Sequence, residues 1–436
     1  MVPLLFKQTL GCYIPSFYRM ELNFPFPSES DRSKPLNEKF LSAFIHEYVH
    51  FLQDITTYFG YNNAYVYSEQ VHGLVNSLYK YPPGQILLPH KIPGNYANIE
   101  LNKFINSHGW GTYNKEVDNL IITRYKKQKI KVPIVGSPIK ELCKIKVEYM
   151  GGKSAIEFGS MAIMESMAYM IESMTTKGCS TPHDYPYCAA QLICEHIYPE
   201  FADDKLRVIA LCDMSLHFSE PGRVFVDSLE KFRYESFLPS NANEIIDYFY
   251  NNTCIQIDGP IKLLDGIIMH GINAGERLKS YLNHLNFSQF HNVIHTLFGY
   301  GIGLRIHHRY FMLDIARNGY ALNNTPLKDA VFKAGTPIIF DSNNEHWMVY
   351  PRKFTQHNYQ IEYFLAIGQV FNTIAKGNDA CDLYPWCEKS KGVTVDERCI
   401  MYPWKRSKDI FLCPYAMLWR HWDLSKYNPQ ISYYED

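Results

Sequence analysis

The stretch from Glu38 to Tyr58 constrains the chain most. It contains no Gly or Pro, is apolar all round, can be capped by Asn37 and meets Gly60 at its end, so it predicts a helix buried in a core. Yet it carries His46-Glu47-Tyr48-Val49-His50. At about 3.6 residues per turn, the two imidazoles at i and i+4 share a face and can point at one ion, with Glu47 beside them. Phe44, Ile45, Val49, Phe51 and Leu52 surround the three polar side chains, which would be costly to bury without a partner. The bland reading is a pair of independently hydrogen-bonded core histidines. The sharper one is a metal site with zinc as its natural occupant, since zinc accepts nitrogen and oxygen ligands and lowers the pKa of a bound water to about 7. Glu47 would then be the general base.

A catalytic zinc needs a third protein ligand. The HExxHxxGxxH pattern is excluded, because Gln53 and Thr56 stand where it needs Gly and His. Two glutamates compete. Glu69 follows His50 after eighteen intervening residues, the HExxH-x18-E spacing of one aminopeptidase family, but sits among Tyr65, Tyr67, Ser68, Gln70 and His72 on what reads as a half-exposed helix. Glu165 is the one acid among Met161, Ala162, Ile163, Met164, Met167, Ala168, Met170 and Ile171, where an unpaired carboxylate would be costly and a metal would resolve the cost. Glu165 is therefore preferred, with Glu69 or another His or acid as alternatives; without a metal its carboxyl would need a core Tyr or Lys. Asp54, one turn after His50, is a candidate to orient that imidazole. Tyr149, Tyr169, His183 and His217 are candidates to stabilise an oxyanion.

On these residues the chain resembles the gluzincin type of HExxH zinc metallopeptidase: HEYVH is followed by a Glu on a later helix, and Glu165-Ser-Met-Ala168 is similar to the E-x-x-A around such third ligands. The resemblance covers two helices. It implies an α+β, mainly α fold with a zincin-like core, a small sheet beside the HExxH helix, one Zn2+ held by His46, His50 and Glu165, and Glu47 activating water for attack on a peptide carbonyl. Two features depart from the pattern. Glu165 lies 115 positions after His50, a longer gap than in the commonest gluzincins, and Tyr169 stands where thermolysin-like enzymes carry an Asp. Endopeptidase and exopeptidase both stay open. Such a cleft tends to hold substrate as an added strand on a sheet edge, which the early strand or Lys144 to Met150 could supply.

Residues 1–30 alternate apolar residues between Pro-rich ends and predict one or two strands. A second helix is expected from Ala64 to Leu78, an irregular insertion over 80–140, a strand at Lys144 to Met150 and a helix from Ile156 to Met174. Further helices are expected at Cys188 to Ile197, Leu206 to Leu216, Glu244 to Tyr250, Ile261 to Leu285, Phe287 to Phe298 and Ile361 to Ala375, with a hairpin at Thr336 to Tyr350. The division drawn is a metallopeptidase core over 1–240 and a mainly helical C-terminal region over 241–436, with one continuous domain as the alternative.

With 43 Lys+Arg against 44 Asp+Glu the net charge is −1, which argues against a nucleic-acid binder or a polybasic membrane anchor. The opening MVPLLFKQTLG is too short in apolar residues for a signal peptide, and the eleven Cys are an odd number, so a cytoplasmic protein with free thiols is expected. Its partners would be a peptide or protein substrate and, through the C-terminal region, a protein. Cys381, Cys387, Cys399 and Cys413 cluster without the short paired gaps of zinc motifs, and Cys188 and Cys194 read as packing residues. His291 and His295 repeat the i, i+4 spacing near His307 and His308 with no acid between them, and Gly299 to Gly303 reads as a flexible turn. Two rivals to the peptidase remain. One is a di-iron carboxylate protein using Glu47-x-x-His50 and Glu69-x-x-His72 with Glu165 and Glu172; the other is a non-catalytic zincin-like binding protein.

Overall fold

In a computed structural model, which describes residues 10–432 apart from 17, 26–36, 92–96, 135–136, 138, 140, 257–258, 281, 344, 355–359 and 390–393, the apolar stretch forms helix α1, Glu38–Thr56. Asn37 caps it, its side chain accepting from the Lys39 N–H. The helix ends at Thr57, earlier than Gly60 suggested, and α2 (Tyr58–Leu78) begins at once. Thr57 serves both ends: its hydroxyl donates to the Gln53 carbonyl at 2.7 Å and accepts from the Gly60 N–H at 3.1 Å. Gly60 is thus inside the second helix rather than a stop. A Cβ there would lie 2.1 Å from the Asp54 carbonyl oxygen, so the glycine permits the tight corner between the helices.

The early alternation becomes an antiparallel hairpin, β1 (Gly11–Ile14) and β2 (Arg19–Leu22); the rest of residues 1–30 lies largely outside the described residues. The region expected to be irregular contains β3 (Gly84–Leu88), α3 (Ala97–Trp110) and β4 (Ile122–Lys131). β4 pairs antiparallel with β5 (Glu141–Tyr149), whose other edge takes β6 (Ile156–Phe158). Alternation could not reveal β4, because Lys126, Lys127, Gln128 and Lys129 all stay exposed and leave no apolar period. β7 (Cys254–Gln256) and β8 (Pro260–Lys262) make a minimal hairpin. β9 (Ile338–Phe340) and β10 (His346–Trp347) form the expected late hairpin and complete a four-stranded sheet of order β1-β2-β9-β10, in which β2 and β9 are parallel. β11 (Tyr427–Ile431) runs parallel to β3.

The architecture is therefore α+β and mainly helical. The run expected as one helix from Ile156 is β6 followed by α4 (Ser160–Thr175), and α4 packs on α1. Helices Lys205–Ser215, Asn243–Asn252, Leu263–Ser280 and Glu362–Lys376 lie near their expected places, while Pro221–Tyr234 had not been anticipated. Helix Ser288–His307 runs straight through Gly299 to Gly303, which is a correction to the turn expected there. At Gly301 a Cβ would lie 1.7 Å from the Ile55 carbonyl oxygen, so the glycine marks a close helix crossing. Arg305, four residues on, is fully buried; it donates to the Thr56 carbonyl at 2.9 Å and pairs with both oxygens of Asp213 at 2.7 and 2.8 Å. The C-terminal end of α1 is fixed by that pair. Buried apolar residues from Tyr13 to Tyr427 form one cluster spanning position 240, and among the described residues no helix is long and apolar enough to cross a membrane.

Candidate metal centre

α1 and α4 bring together side chains from distant parts of the sequence. His46 Nε2 lies 3.0 Å and His50 Nε2 3.4 Å from the same oxygen of Glu165, Oε2. All three residues are buried, and their ligand atoms lie within 4.8 Å of one another. Two ligands each about 2.05 Å from a tetrahedral ion stand roughly 3.3 Å apart, so the spacing fits a single small ion. His46, His50 and Glu165 are a group that could hold a metal ion.

The other face of each imidazole is tied down. His46 Nδ1 donates to Glu172 Oε2 at 2.9 Å, and Glu172 also accepts from the Ser42 hydroxyl. His50 Nδ1 donates to Gln53 Oε1 at 2.8 Å, while Gln53 Nε2 donates to the Met164 carbonyl at 3.2 Å. Because the amide nitrogen is used on α4, its oxygen faces His50, which fixes the Nδ1–H tautomer and turns the Nε2 lone pair inward. Buried His50 Nε2 and Glu47 Oε1 have no hydrogen-bond partner among the described residues. Two orphaned polar atoms beside two histidines and a carboxylate fit an ion with a water next to it.

The electrostatics agree. Burial works against a charged His46, but Glu165 and Glu172 outweigh it and raise its pKa well above the ordinary imidazole value, so positive charge is favoured here. Burial also works to raise the Glu165 carboxyl, yet His50 and His46 hold it at about 2. Burial pushes Glu47 up to about 7, against the pull of His46 and His50. A carboxylate near 7 suits proton transfer at neutral pH.

Tyr187 completes the setting. Its ring stands edge-on to His46 at 5.9 Å, and burial, with the charges of Glu165 and Glu47, pushes its hydroxyl far above the ordinary value, so it stays a donor. It belongs to the short helix Asp184–Tyr187, anchored when the hydroxyl of Ser166, the neighbour of Glu165, donates to the Pro186 carbonyl at 2.9 Å.

Other candidates fall elsewhere. Glu69 is ion-paired with Arg277, and His72 stacks edge-on to Trp422, so the second ExxH unit does not meet the first. Glu172 bonds His46 rather than bridging toward Glu165. Asp54 is not the orienting partner of His50: its Oδ2 accepts from the Tyr13 hydroxyl at 2.9 Å and the Ser16 N–H at 3.1 Å, tying β1 to α1. His217 sits at the α1–α2 corner near Arg305, His183 is half-buried between Glu116 and Asp118, and Tyr149 lies under Lys115. Tyr169 touches Tyr187 at 6.4 Å. Glu172, Gln53 and Ser42 had helical spacing as a signal, at seven, three and four positions from Glu165, His50 and His46; Tyr187 had none.

Compared with known protein families, with curated proteins and with solved structures, the chain finds no match.

Proposed function

We propose that the protein is a zinc-dependent peptidase with a zincin-like core, in which His46, His50 and Glu165 hold the ion and Glu47 is the general base. The carrying observation is that both imidazoles are pinned at Nδ1, by Glu172 and Gln53, so that both Nε2 atoms and one Glu165 oxygen converge beside the unpartnered Glu47 Oε1. A purely structural site has no use for a base in that place. Two nitrogens and a carboxylate suit zinc, which when bound would acidify a water and polarise a carbonyl.

The chain's own groups do the rest. Glu47 takes the proton of the attacking water and passes it to the leaving amine, which its raised pKa allows. The Tyr187 hydroxyl, kept protonated on a ring that stands edge-on to His46, is the donor we assign to the oxyanion. Substrate lies along β1, one of the two outer strands of its sheet among the described residues, where a Cβ on Gly11 would stand 3.3 Å from Glu47 Cγ. β5 does not offer this, because both its edges are paired. A cleft of about 1040 Å³ runs past Cys12 and Ile14 of β1 and has room for a peptide segment, while His46, Glu47, His50 and Glu165 lie buried behind it and do not line it. The test is cleavage of a peptide library by the zinc-loaded protein, read by mass spectrometry. Glu47→Gln should keep its zinc and cleave at least about 100-fold more slowly; equal cleavage by both proteins, or none by the zinc-loaded wild type, contradicts the reading.

A further inference from the structure

A cavity of about 590 Å³ lies beside the α1–α2 corner, between Tyr58, residues 217–219, helix Pro221–Tyr234 and β7. Its size suits a small organic molecule. Two aromatic pairs form much of its wall: the Tyr58 and His270 rings stand edge-on at 4.4 Å, and those of Phe218 and Phe249 are tilted at 6.2 Å. Val224 and Ile255 add aliphatic surface. The two charged side chains that line it are already answered. Arg223 Nη2 lies 3.1 Å from Glu220 Oε2, and Asp227 Oδ1 lies 2.6 Å from Lys127 Nζ.

Two lining residues each keep one polar atom over. His217 is 2% exposed, and its Nδ1 accepts from the Tyr58 N–H at 3.4 Å, which leaves its proton on Nε2. Burial and the charge of Arg305 hold its pKa well below the ordinary imidazole value, so the ring is neutral and Nε2–H is a donor. That Nε2 has no partner among the described residues, and neither has the buried Arg223 Nε. A buried donor left unpaired is costly. Both orphans are donors, so the missing partner is an acceptor.

We propose that this cavity binds an uncharged aromatic molecule bearing a carbonyl-type oxygen, which accepts from His217 Nε2 and Arg223 Nε while its ring packs against the two aromatic pairs. Charge decides the class of acceptor. A carboxylate would enter with a negative charge and find no free cation, because Arg223 is engaged by Glu220 and Lys127 by both Asp227 and Glu230. A neutral oxygen answers both donors without that cost. The aromatic walls favour a flat ring over an aliphatic body. The site uses no residue of the α1–α4 centre and stands whether or not that centre hydrolyses peptides. Tyr58 opens α2 directly after Thr57, so an occupant bears on the corner that ends α1.

Cys254, the one exposed free cysteine among the described residues, lines the same cavity and serves as its reporter. The full chain is alkylated with iodoacetamide and followed by peptide mass spectrometry, with benzamide as the probe and toluene and benzoate as its acceptor-free and charged counterparts. Benzamide at ten times its dissociation constant should slow labelling of Cys254 about 10-fold and leave that of half-buried Cys179 unchanged. Toluene and benzoate should each need about 10-fold higher concentration for the same protection. Arg223→Met, at a half-buried position, and His217→Phe should each raise the benzamide concentration needed by about 10-fold and leave that of toluene unchanged, a pattern that loss of fold would not give. Cys254 labelling that benzamide does not slow, equal protection by toluene or benzoate, or benzamide protection indifferent to both substitutions overturns the proposal.

Discussion

The α1–α4 centre and the cysteine-bearing segment present their polar groups in opposite ways. In the first, candidate ligands sit on two packed helices, and both imidazoles are oriented by a second side chain on the same pair: Gln53 and Glu172 hold them, and Gln53 also binds the Met164 carbonyl. In the second, Cys381, Cys387, Cys399 and Cys413 lie on or beside short helices, and the sulfur bond seen there is the one from Arg406 Nη1 to Cys399 Sγ at 3.2 Å. The difference teaches where a metal site draws its precision. Packed helices can fix a ligand set before an ion arrives, whereas the cysteine-bearing turns fix none: among the described residues only His46, His50 and Glu165 bring ligand atoms within 4.8 Å of one another.

The predictions break or sharpen that contrast. The largest effect is expected at Glu47, the proposed base, which lies outside the His46, His50 and Glu165 group. Glu47→Gln should lower peptide cleavage by about 10²–10⁴-fold with unchanged zinc content; loss of zinc with activity would make Glu47 a ligand instead. Next is Glu172, which acts through His46. Glu172→Gln should weaken zinc binding at the α1–α4 centre by about 10–100-fold in chelator competition, with circular dichroism unchanged. An altered spectrum would show a global fault rather than loss of orientation.

Packing behind the first centre comes third. A methyl at Gly301 meets the Ile55 carbonyl, so Gly301→Ala should cost about 1–3 kcal/mol in urea unfolding. A neutral result would mean that the helix crossing has slack. The smallest effect is on pH dependence. Burial raises Asp54 to about 7 from the ordinary 3.8, while its bonds from Ser16 and Tyr13 pull the other way. The folded state therefore keeps a proton that the unfolded chain releases, and this group's contribution to stability falls as pH rises from 3.8 to about 7. Asp54→Asn should flatten that slope, gaining on the wild type across the window; a difference independent of pH would assign Asp54 a purely structural part.

The same contrast explains what could be read from the chain alone. His46, Glu47 and His50 were legible because helical periodicity places i and i+4 on one face, and Glu165 because one acid among Met, Ile and Ala needs a partner. Gln53 and Glu172 followed the same periodicity and needed only to be asked about. Tyr187 was not legible, since its approach depends on the fold of residues 184–187 against Ser166. β4 was hidden by its exposed lysines, and the Gly299 to Gly303 run misled because glycine in a helix crossing looks like glycine in a turn until the neighbouring carbonyl is seen. The Thr57 corner was misplaced for a similar reason. The four cysteines were visible as residues, but their gaps carried no local pattern, and in the fold a backbone bond at 2.8 Å joins Cys381 to Cys399.

The most direct test of the central claim is zinc content by mass spectrometry for the wild type, His50→Ala, Glu165→Ala and Glu69→Ala. One equivalent should be lost in His50→Ala and in Glu165→Ala and retained in Glu69→Ala, whose native carboxylate is engaged with Arg277. Full zinc content in Glu165→Ala, or loss of zinc in a folded Glu69→Ala, would contradict the α1–α4 centre.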